Sequence, residues 1–484
     1  MACNVFLGLG TSDVNDFDEA RYGVTAFEMQ QHRAFVLTTY AEQREVWALK
    51  PPLGYWLMAL SYSLFGGSAL AMRLPSALCA LAAVAVTMAA ARRWFDGRLA
   101  VLAGAILATT FGFLSQHGAR SGDFDAGLTL VLLLVAVQLP RLADSPWRVV
   151  PVALLFACGF LLKSFAIAPM VLVAGAYLAW TGGWRRLRLA PCAAALGLFA
   201  LIVGAWAFAR WRADGSPDFF LRMFREDVVG RSTSIVDKST SSPFGYATAI
   251  FDRFAPWPVL MLAAAVVAWR TAGPEGPRRR RLAWRPEIMP LLALWIGIPF
   301  VVVSLVRTQH HWYLDPLYPA LAMAAAGSVL FLVERAPDRR RALAIAALVA
   351  LPLMLCEARV LGRVLIREPM SAAERFLSGF TPASTGGCRE IRTTWRLAWS
   401  ERFILEVADG FDVVEPGQAV RPPAPVPAPA NAACLLVGKR PWRRPPAPPP
   451  DRLPSPDRLL GESDDYTLYR GAGSGAGAGS GARP

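Results

Sequence analysis

Several short stretches of this chain gather residue types suited to acid–base or anion chemistry. The first is Asp18-Glu19-Ala20-Arg21-Tyr22, which sets two carboxylates, a guanidinium and a phenol side by side. A carboxylate here serves either as a general base or as a favourable charge at a helix N-terminus, worth ~0.3–1 kcal/mol. The second is Lys50-Pro51-Pro52, an amine ahead of an apolar run. It either snorkels to an interface or meets a phosphate, with the prolines fixing the chain direction beside it. The third, Gln116 to Asp125, places Asp123 and Asp125 directly before an apolar run. Unpaired charge is costly there, and Arg120 is the obvious partner. Lys163 interrupts a long apolar stretch, a position where a lysine reads as functional. Arg231 and Tyr313 add a cation and a hydroxyl further on. The adjacent His310 and His311 would point in different directions on a helix, so they make a poor metal pair.

The elements that must position these residues are membrane helices. Of 484 residues, 54% are hydrophobic and 18% charged, and the apolar ones fall in blocks near the ~20 needed to cross a hydrocarbon core. A soluble enzyme, a disulfide scaffold and a disordered chain are excluded. Spans are predicted at 74–91, 98–116, 125–141, 148–163, 165–181, 190–211, 256–270, 288–306, 312–333 and 342–361. Met1 to Gly10 reads as the end of a further, truncated first helix, giving about eleven in all. Alternate loops at 92–98, 141–148, 185–188, 270–285 and 335–341 are rich in arginine, and the positive-inside rule turns them to the cytoplasm. Much of the net charge of +14 is therefore a topology signal, and no nucleic-acid partner is expected. The opposite segments 11–51, 117–124, 212–255 and 307–311, with the turn at Lys163, face outward and hold the residues singled out above, with Asp125 and Tyr313 at the adjoining ends of the next spans. Pro52 to Phe65 is short and aromatic and is placed in the interface. Phe219, Phe220, Leu221 and Phe224 are expected to dip into lipid.

Residues 1–366 thus form the membrane region, and 367–470 form a small α/β extracytoplasmic domain. Its strand candidates are Cys434–Val437 and Tyr466–Arg470, with a further strand-like run at Arg402–Val407 and proline-rich stretches at 421–429 and 445–456. Cys388 and Cys434 pair if the compartment is oxidising and are otherwise two free thiols. The Gly/Ala/Ser-rich tail 471–484 is expected to be disordered.

Taken as an ordered series, the motifs resemble a known family. Asp18 to Tyr22, Lys50-Pro51-Pro52-Leu53-Gly54-Tyr55-Trp56 and Arg73-Leu74-Pro75-Ser76-Ala77-Leu78 are similar to the opening motifs of the GT-C membrane glycosyltransferases. The nearest branch is that of the aminoarabinose transferases (ArnT-like) and the dolichyl-phosphate-mannose-protein mannosyltransferases. Gly122-Asp123 to Asp125, Lys163 in its apolar setting, and Tyr313 to Leu321 resemble later signatures of the same group. The resemblance covers residue 11 to about 340. It implies an all-α polytopic GT-C fold with a small α/β C-terminal domain. It also implies inverting transfer of a sugar from a polyprenyl (undecaprenyl-type) phosphate to a lipid A-like envelope lipid, a glycan or a protein. That transfer would take place at the periplasmic face of the cytoplasmic membrane. Asp18, with Glu19, would supply the catalytic carboxylate, and Asp123 or Asp125 would orient the sugar or acceptor. Lys50 first and Arg231 second would hold the donor phosphate, with Arg21, Tyr22, Lys163 and Tyr313 nearby. Metal-holding relatives use an acidic residue before the KPP lysine and a histidine in the long outer loop. The corresponding places here are Leu49 and Glu226 or Asp227, so no metal is carried over, and a divalent ion is the one cofactor left open. Two other readings fit the composition: a flippase-like carrier that leaves the glycosyl bond intact, and a scaffold acting through residues 368–470.

Overall fold

The structure, a computed structural model, describes residues 2–45, 49–115, 117–235, 242, 244–270, 287–335, 338–365, 372–381, 383–385, 387–416, 433–438 and 458–470. The arginines at 278–281, the proline-rich stretches 421–429 and 445–456 and the tail 471–484 lie outside them. A short α1 (Ala2–Phe6) is followed by the first of the segments expected to face outward (the first outer segment), formed by α2 (Asp18–His32), the hairpin β1 (Thr39–Tyr40) and β2 (Gln43–Arg44), and α3 (Leu53–Phe65). The chain then continues as α4 (Ala69–Trp94), α5 (Gly97–Thr109), α6 (Phe111–Leu114), α7 (Asp125–Gln138), α8 (Val149–Lys163), α9 (Ala168–Thr181) and α10 (Leu189–Asp214). The long outer segment folds into α11 (Asp218–Phe224), a π turn at Arg225–Gly230, α12 (Arg231–Thr233) and α13 (Gly245–Arg253). Four more helices complete the bundle: α14 (Trp257–Arg270), α15 (Ile288–Leu305), α16 (Tyr318–Arg335) and α17 (Arg339–Leu365).

Every predicted apolar block is largely helical over its described residues, and the ends are set by local chemistry. Ser68 caps α4 by accepting from Ala71 N at 3.1 Å, and Arg92 and Arg93 close its last turn, where cations meet the helix dipole favourably. Six described helical segments are long and apolar enough to cross a membrane, and a seventh results if α13 and α14, bent by 103°, count as one. Part of the difference from the expected eleven is that α8 and α9, expected as two spans, are joined by a 3₁₀ turn at Ser164–Ile167 into the single segment Pro146–Thr181. The block predicted at 98–116 breaks at Thr110, whose ψ of 112° leaves helical geometry, so α5 is only 13 residues long. That is about 20 Å of helix at 1.5 Å per residue. At 13 residues α3, which the eleven do not include, is also too short to span. The bundle packs through small residues, with Ala77, Ala80, Ala103, Ala136, Ala322 and Ala326 all fully buried. Such residues let membrane helices approach closely when no hydrophobic drive separates them from lipid. The expectation for the outer phenylalanines is half met. Leu221 and Phe224 are exposed, whereas Phe219 is buried against Trp206 and lies under Arg210, 4.1 Å from its guanidinium.

The C-terminal region holds α18 (Ala372–Leu377), β3 (Glu390–Thr393), α19 (Trp399–Arg402), β4 (Asp412–Val414), β5 (Ala433–Gly438), β6 (Leu459–Glu462) and β7 (Tyr466–Arg470). Its sheet has the order β4-β3-β5-β7-β6, with β4, β3 and β5 parallel and β7 and β6 antiparallel. Cys388 and Cys434 form a disulfide in its core. The strand-like run Arg402–Val407 is helical instead, because Arg402 reaches Glu406 one turn on at 2.6 Å. This region docks on the first outer segment: Phe403 packs into the core of α2 and α3, and Ser400 N donates to Asp16 at 3.0 Å.

Candidate functional site

Alternate helix ends converge on one side of the bundle: the starts of α4, α7 and α16 and the ends of α8 and α10. The arginine-rich loops lie at the other ends of the same helices. The first outer segment is fixed there by Glu19. Its side chain is fully enclosed and accepts from Arg73 at 2.6 and 3.1 Å, Gly122 N at 2.9 Å and Asn15 N at 2.8 Å. Arg73 spends its remaining donors on the carbonyls of Leu9, Ser12 and Asp13. With all its partners internal, Glu19 is a positioning residue that ties α2 and α4 to the loop carrying Asp123, rather than a group presented for chemistry. Tyr22 also packs inward, stacked on Phe124 at 4.7 Å with Tyr55 edge-on. Gly54 admits this arrangement, because a Cβ there would lie 2.4 Å from the Phe124 ring.

Asp18 begins α2 and pairs with Arg21 at 2.9 Å. Arg120, the partner that spacing suggests for the second loop, instead donates to the carbonyls of Asn4, Val5 and Leu7. Asp123 is met by His117 at 3.1 Å and by the Ser121 hydroxyl, and Asp125 by Lys163 at 2.5 Å. Asp18, His117 and Asp123 each bring a ligating atom within 4.8 Å of the others, a set that could hold a divalent ion. Trp312 stacks on His117 at 3.8 Å and on His310 at 4.2 Å, so His310 is part of an aromatic pile that buttresses His117.

The cations form a second group. Lys50 Nζ lies 3.1 Å from both carboxylate oxygens of Asp227. Ser164 Oγ donates to Asp227 at 3.1 Å, Arg231 Nε lies 3.4 Å from it, and Arg231 Nη1 donates to the Tyr313 hydroxyl at 2.8 Å. Lys163 and Ser164 reach the site because the backbone leaves helical geometry between α8 and α9, with Ser164 at φ 47° and ψ −123°. Side chains with a Cβ rarely adopt such a conformation, and strain of this kind is concentrated at functional positions. Burial lowers the Lys50 amine below its ordinary value, although Asp227 opposes this. Burial would raise the carboxyls of Asp227 and Asp123, but Lys50 and Arg231 hold the first low and His117 the second. Burial also works against protonation of His117, yet Asp123 raises it above 6.5.

The structure thus brings Asp18, Arg21, Asp123, Asp125, Lys50, Lys163, Arg231 and Tyr313 to one face and gives Glu19 and Tyr22 packing tasks. Sequence reading assigned no role to Asp227, Ser164, His117 or Trp312. Only Asp227, four residues before Arg231, had a spacing that pointed to its partner.

The family model for dolichyl-phosphate-mannose-protein mannosyltransferase matches residues 49–208. An undecaprenyl phosphate-alpha-4-amino-4-deoxy-L-arabinose arabinosyl transferase 1 of Pseudomonas fluorescens (strain Pf0-1) is 27% identical, over 66% of this chain and 55% of its own. The corresponding transferase of Pseudomonas savastanoi pv. phaseolicola (strain 1448A / Race 6) is 26% identical over 82% of this chain and 74% of its own. The chain therefore spans little more than half the length of the first of these relatives. Among solved structures, ArnT from Cupriavidus metallidurans bound to undecaprenyl phosphate superposes with a TM-score of 0.68 at 20% identity. That match covers 96% of this chain and 95% of the other. In sequence the chain is similar to these transferases and in fold to ArnT, and its long apolar helices make it a multi-pass membrane protein.

Proposed function

We propose that the protein transfers a sugar from a polyprenyl phosphate to an acceptor of the cell envelope, at the outer face of the cytoplasmic membrane. The observation that carries this reading is the pairing of a cation group (Lys50, Arg231 and the Tyr313 hydroxyl) with a carboxylate group (Asp18 and Asp123 with His117). Both stand on the face opposite the arginine-rich loops. Relatives named as undecaprenyl phosphate-aminoarabinose transferases, and an ArnT structure that holds undecaprenyl phosphate, support the donor class.

The chemistry follows from charge. The donor phosphate is a monoanionic diester, and cleavage of the anomeric C–O bond turns it into a dianionic leaving group. Lys50 and Arg231 stabilise the charge that grows on it, the interaction that lowers a barrier most. An acceptor oxygen attacks the anomeric carbon from the opposite side and inverts it. The bonding pair leaves with the polyprenyl phosphate, and the proton of a hydroxyl acceptor passes to Asp18. An acceptor that is itself a phosphate, as on a lipid A-like molecule, is already ionised and asks little of Asp18. Asp123 and Asp125, held by His117 and Lys163, would orient the sugar.

The test incubates purified protein with labelled polyprenyl-phosphate sugars and envelope acceptors and follows labelled product. Formation of product that disappears in Lys50→Ala supports the reading. Movement of donor across vesicles without product would establish a carrier instead. Cysteine accessibility at positions 18 and 50 in cells places the site, and a cytosolic location would overturn the proposal.

A further inference from the structure

Away from this site, three carboxylates from three separate elements meet where the C-terminal region docks on the first outer segment. Glu28 comes from α2, Glu42 from the turn between β1 and β2, and Glu406 from the π turn that follows α19. Each brings a carboxylate oxygen within 4.8 Å of the others. Glu28 is 1% exposed and Glu406 7% exposed, while Glu42 stands at the surface. Arg402 is shared between Glu406 at 2.6 Å and Glu415 at 3.2 Å, and His32 pairs with Glu42 at 3.1 Å. The Glu28 carboxylate has no ion pair among the described residues. Its Oε1 accepts from Glu42 N at 3.0 Å, Thr39 and the Arg402 charge also act on the carboxylate, and its buried Oε2 has no hydrogen-bond partner among the described residues. A buried carboxylate oxygen left without partners is expensive, and such groups are normally paired or bound to a cation.

We propose that Glu28, Glu42 and Glu406 form a binding site for a hard divalent cation of the calcium class, which fastens the C-terminal region to the first outer segment. The donor set is all oxygen and all carboxylate, which suits Ca²⁺ rather than a metal that prefers nitrogen or sulfur. Glu42 sits at the mouth, so an ion enters from solvent without unfolding the junction. The position matters mechanically, because Glu28 lies on the same helix that begins with Asp18. The inference stands apart from the sugar-transfer reading, and its readout needs no enzymatic activity.

The probe is Tb³⁺, a luminescent stand-in for Ca²⁺, titrated into the full chain in detergent after chelation, with excitation of the aromatic side chains. Tyr40, whose ring lies 5.7 Å from the Arg402 guanidinium, is the nearby antenna. Saturable emission displaced by Ca²⁺, together with a Ca²⁺-dependent rise in unfolding temperature, is expected. Glu28→Gln should weaken Tb³⁺ about tenfold or more, since ligand charge sets affinity at such sites, and the amide still accepts from Glu42 N. Glu42→Gln, on the exposed turn, supplies the same test should Glu28→Gln fold poorly. Emission that Ca²⁺ does not displace, or that is unchanged in both variants, would mean the carboxyls merely share protons, and the proposal would be wrong.

Discussion

Replacing Lys50 by alanine is the most informative perturbation of the site. Its amine lies 3.1 Å from both oxygens of Asp227 and its side chain is 13% exposed, so it works in a poorly solvated setting. In the proposed transfer the donor phosphate gains one unit of negative charge. A unit charge about 4 Å from the amine interacts by about 4 kcal/mol at an effective dielectric near 20. Arg231 and Tyr313 remain in the variant and take up part of that charge, so the expected loss is about 10²–10³ in kcat, the range found when one such donor is removed. Asp227 keeps Ser164 at 3.1 Å and Arg231 at 3.4 Å, so the fold should survive with a similar unfolding temperature.

The assay is steady-state transfer to a single acceptor, with kcat and KM separated. A cation that acts on charge developing in the transition state lowers kcat and kcat/KM together, whereas one that only binds substrate raises KM. Lys50→Arg keeps the charge but changes its shape from a point to a planar fork, and it should recover only part of the loss. A Lys50→Ala enzyme with normal kcat and a raised KM would refute the leaving-group role. One with full activity would refute the site.

The other expectations follow from single contacts. Asp18→Asn should cost about 10²–10⁴ in rate with a hydroxyl acceptor and little with a phosphate acceptor, which parallel assays on the two acceptor types would reveal. Glu19→Ala leaves Arg73 charged and enclosed and should destabilise the protein by about 3–5 kcal/mol, measured by thermal unfolding in detergent. The His117–Asp123 pair links stability to pH. Asp123, held below 3.8, contributes above that value and loses its contribution as pH falls through its lowered pKa. His117, raised above 6.5, contributes below 6.5 and loses its contribution as pH rises through its raised pKa. Unfolding temperature should therefore decline on both sides of that window, and His117→Asn should flatten the alkaline side. The disulfide closes a loop with a sequence separation of 46 residues. Reduction or Cys434→Ser should cost the C-terminal region about 2–4 kcal/mol, visible as earlier melting of its sheet.

What the sequence made legible was the part governed by solvent. Apolar blocks and arginine-rich loops depend only on transfer between water and lipid, so the helices, and which loops share one end of the bundle, could be read without tertiary information. The C-terminal strands at Cys434–Val437 and Tyr466–Arg470 were likewise visible as short apolar runs. Contacts across long separations were not. Lys50 and Asp227 are 177 residues apart, and no spacing rule joins them. Arg120 misled for the opposite reason: proximity in sequence suggested a partner, but its guanidinium satisfies carbonyls that α1 leaves open. Arg402–Val407 reads as strand-like through Phe403, Ile404 and Val407, yet the Arg402–Glu406 pair fixes a helical turn. Glu19 looked chemical because it adjoins Asp18. Only its enclosure by Arg73 and Gly122 shows that it holds the segment in place.

The arrangement of charges also explains how such a site can exist beside lipid. A bare cation at this depth would be costly, and each one is held by an anion or hydroxyl: Lys50 by Asp227, Lys163 by Asp125, and Arg231 by Asp227 and Tyr313. On the proposed function, a phosphate that arrives at Lys50 replaces one anion by another, so the amine need not be desolvated anew. Binding is then an exchange in which Asp227 turns to Ser164 and Arg231, and only the charge gained during bond cleavage is left for Lys50 to stabilise. Asp227→Asn should therefore weaken the hold on Lys50 while removing the competitor for phosphate. Its effect on donor KM should be small or even favourable, and its cost should fall on kcat through a less well-placed amine. Were Asp227→Asn instead to abolish donor binding, Asp227 would be a direct ligand of the substrate and the exchange scheme would fail.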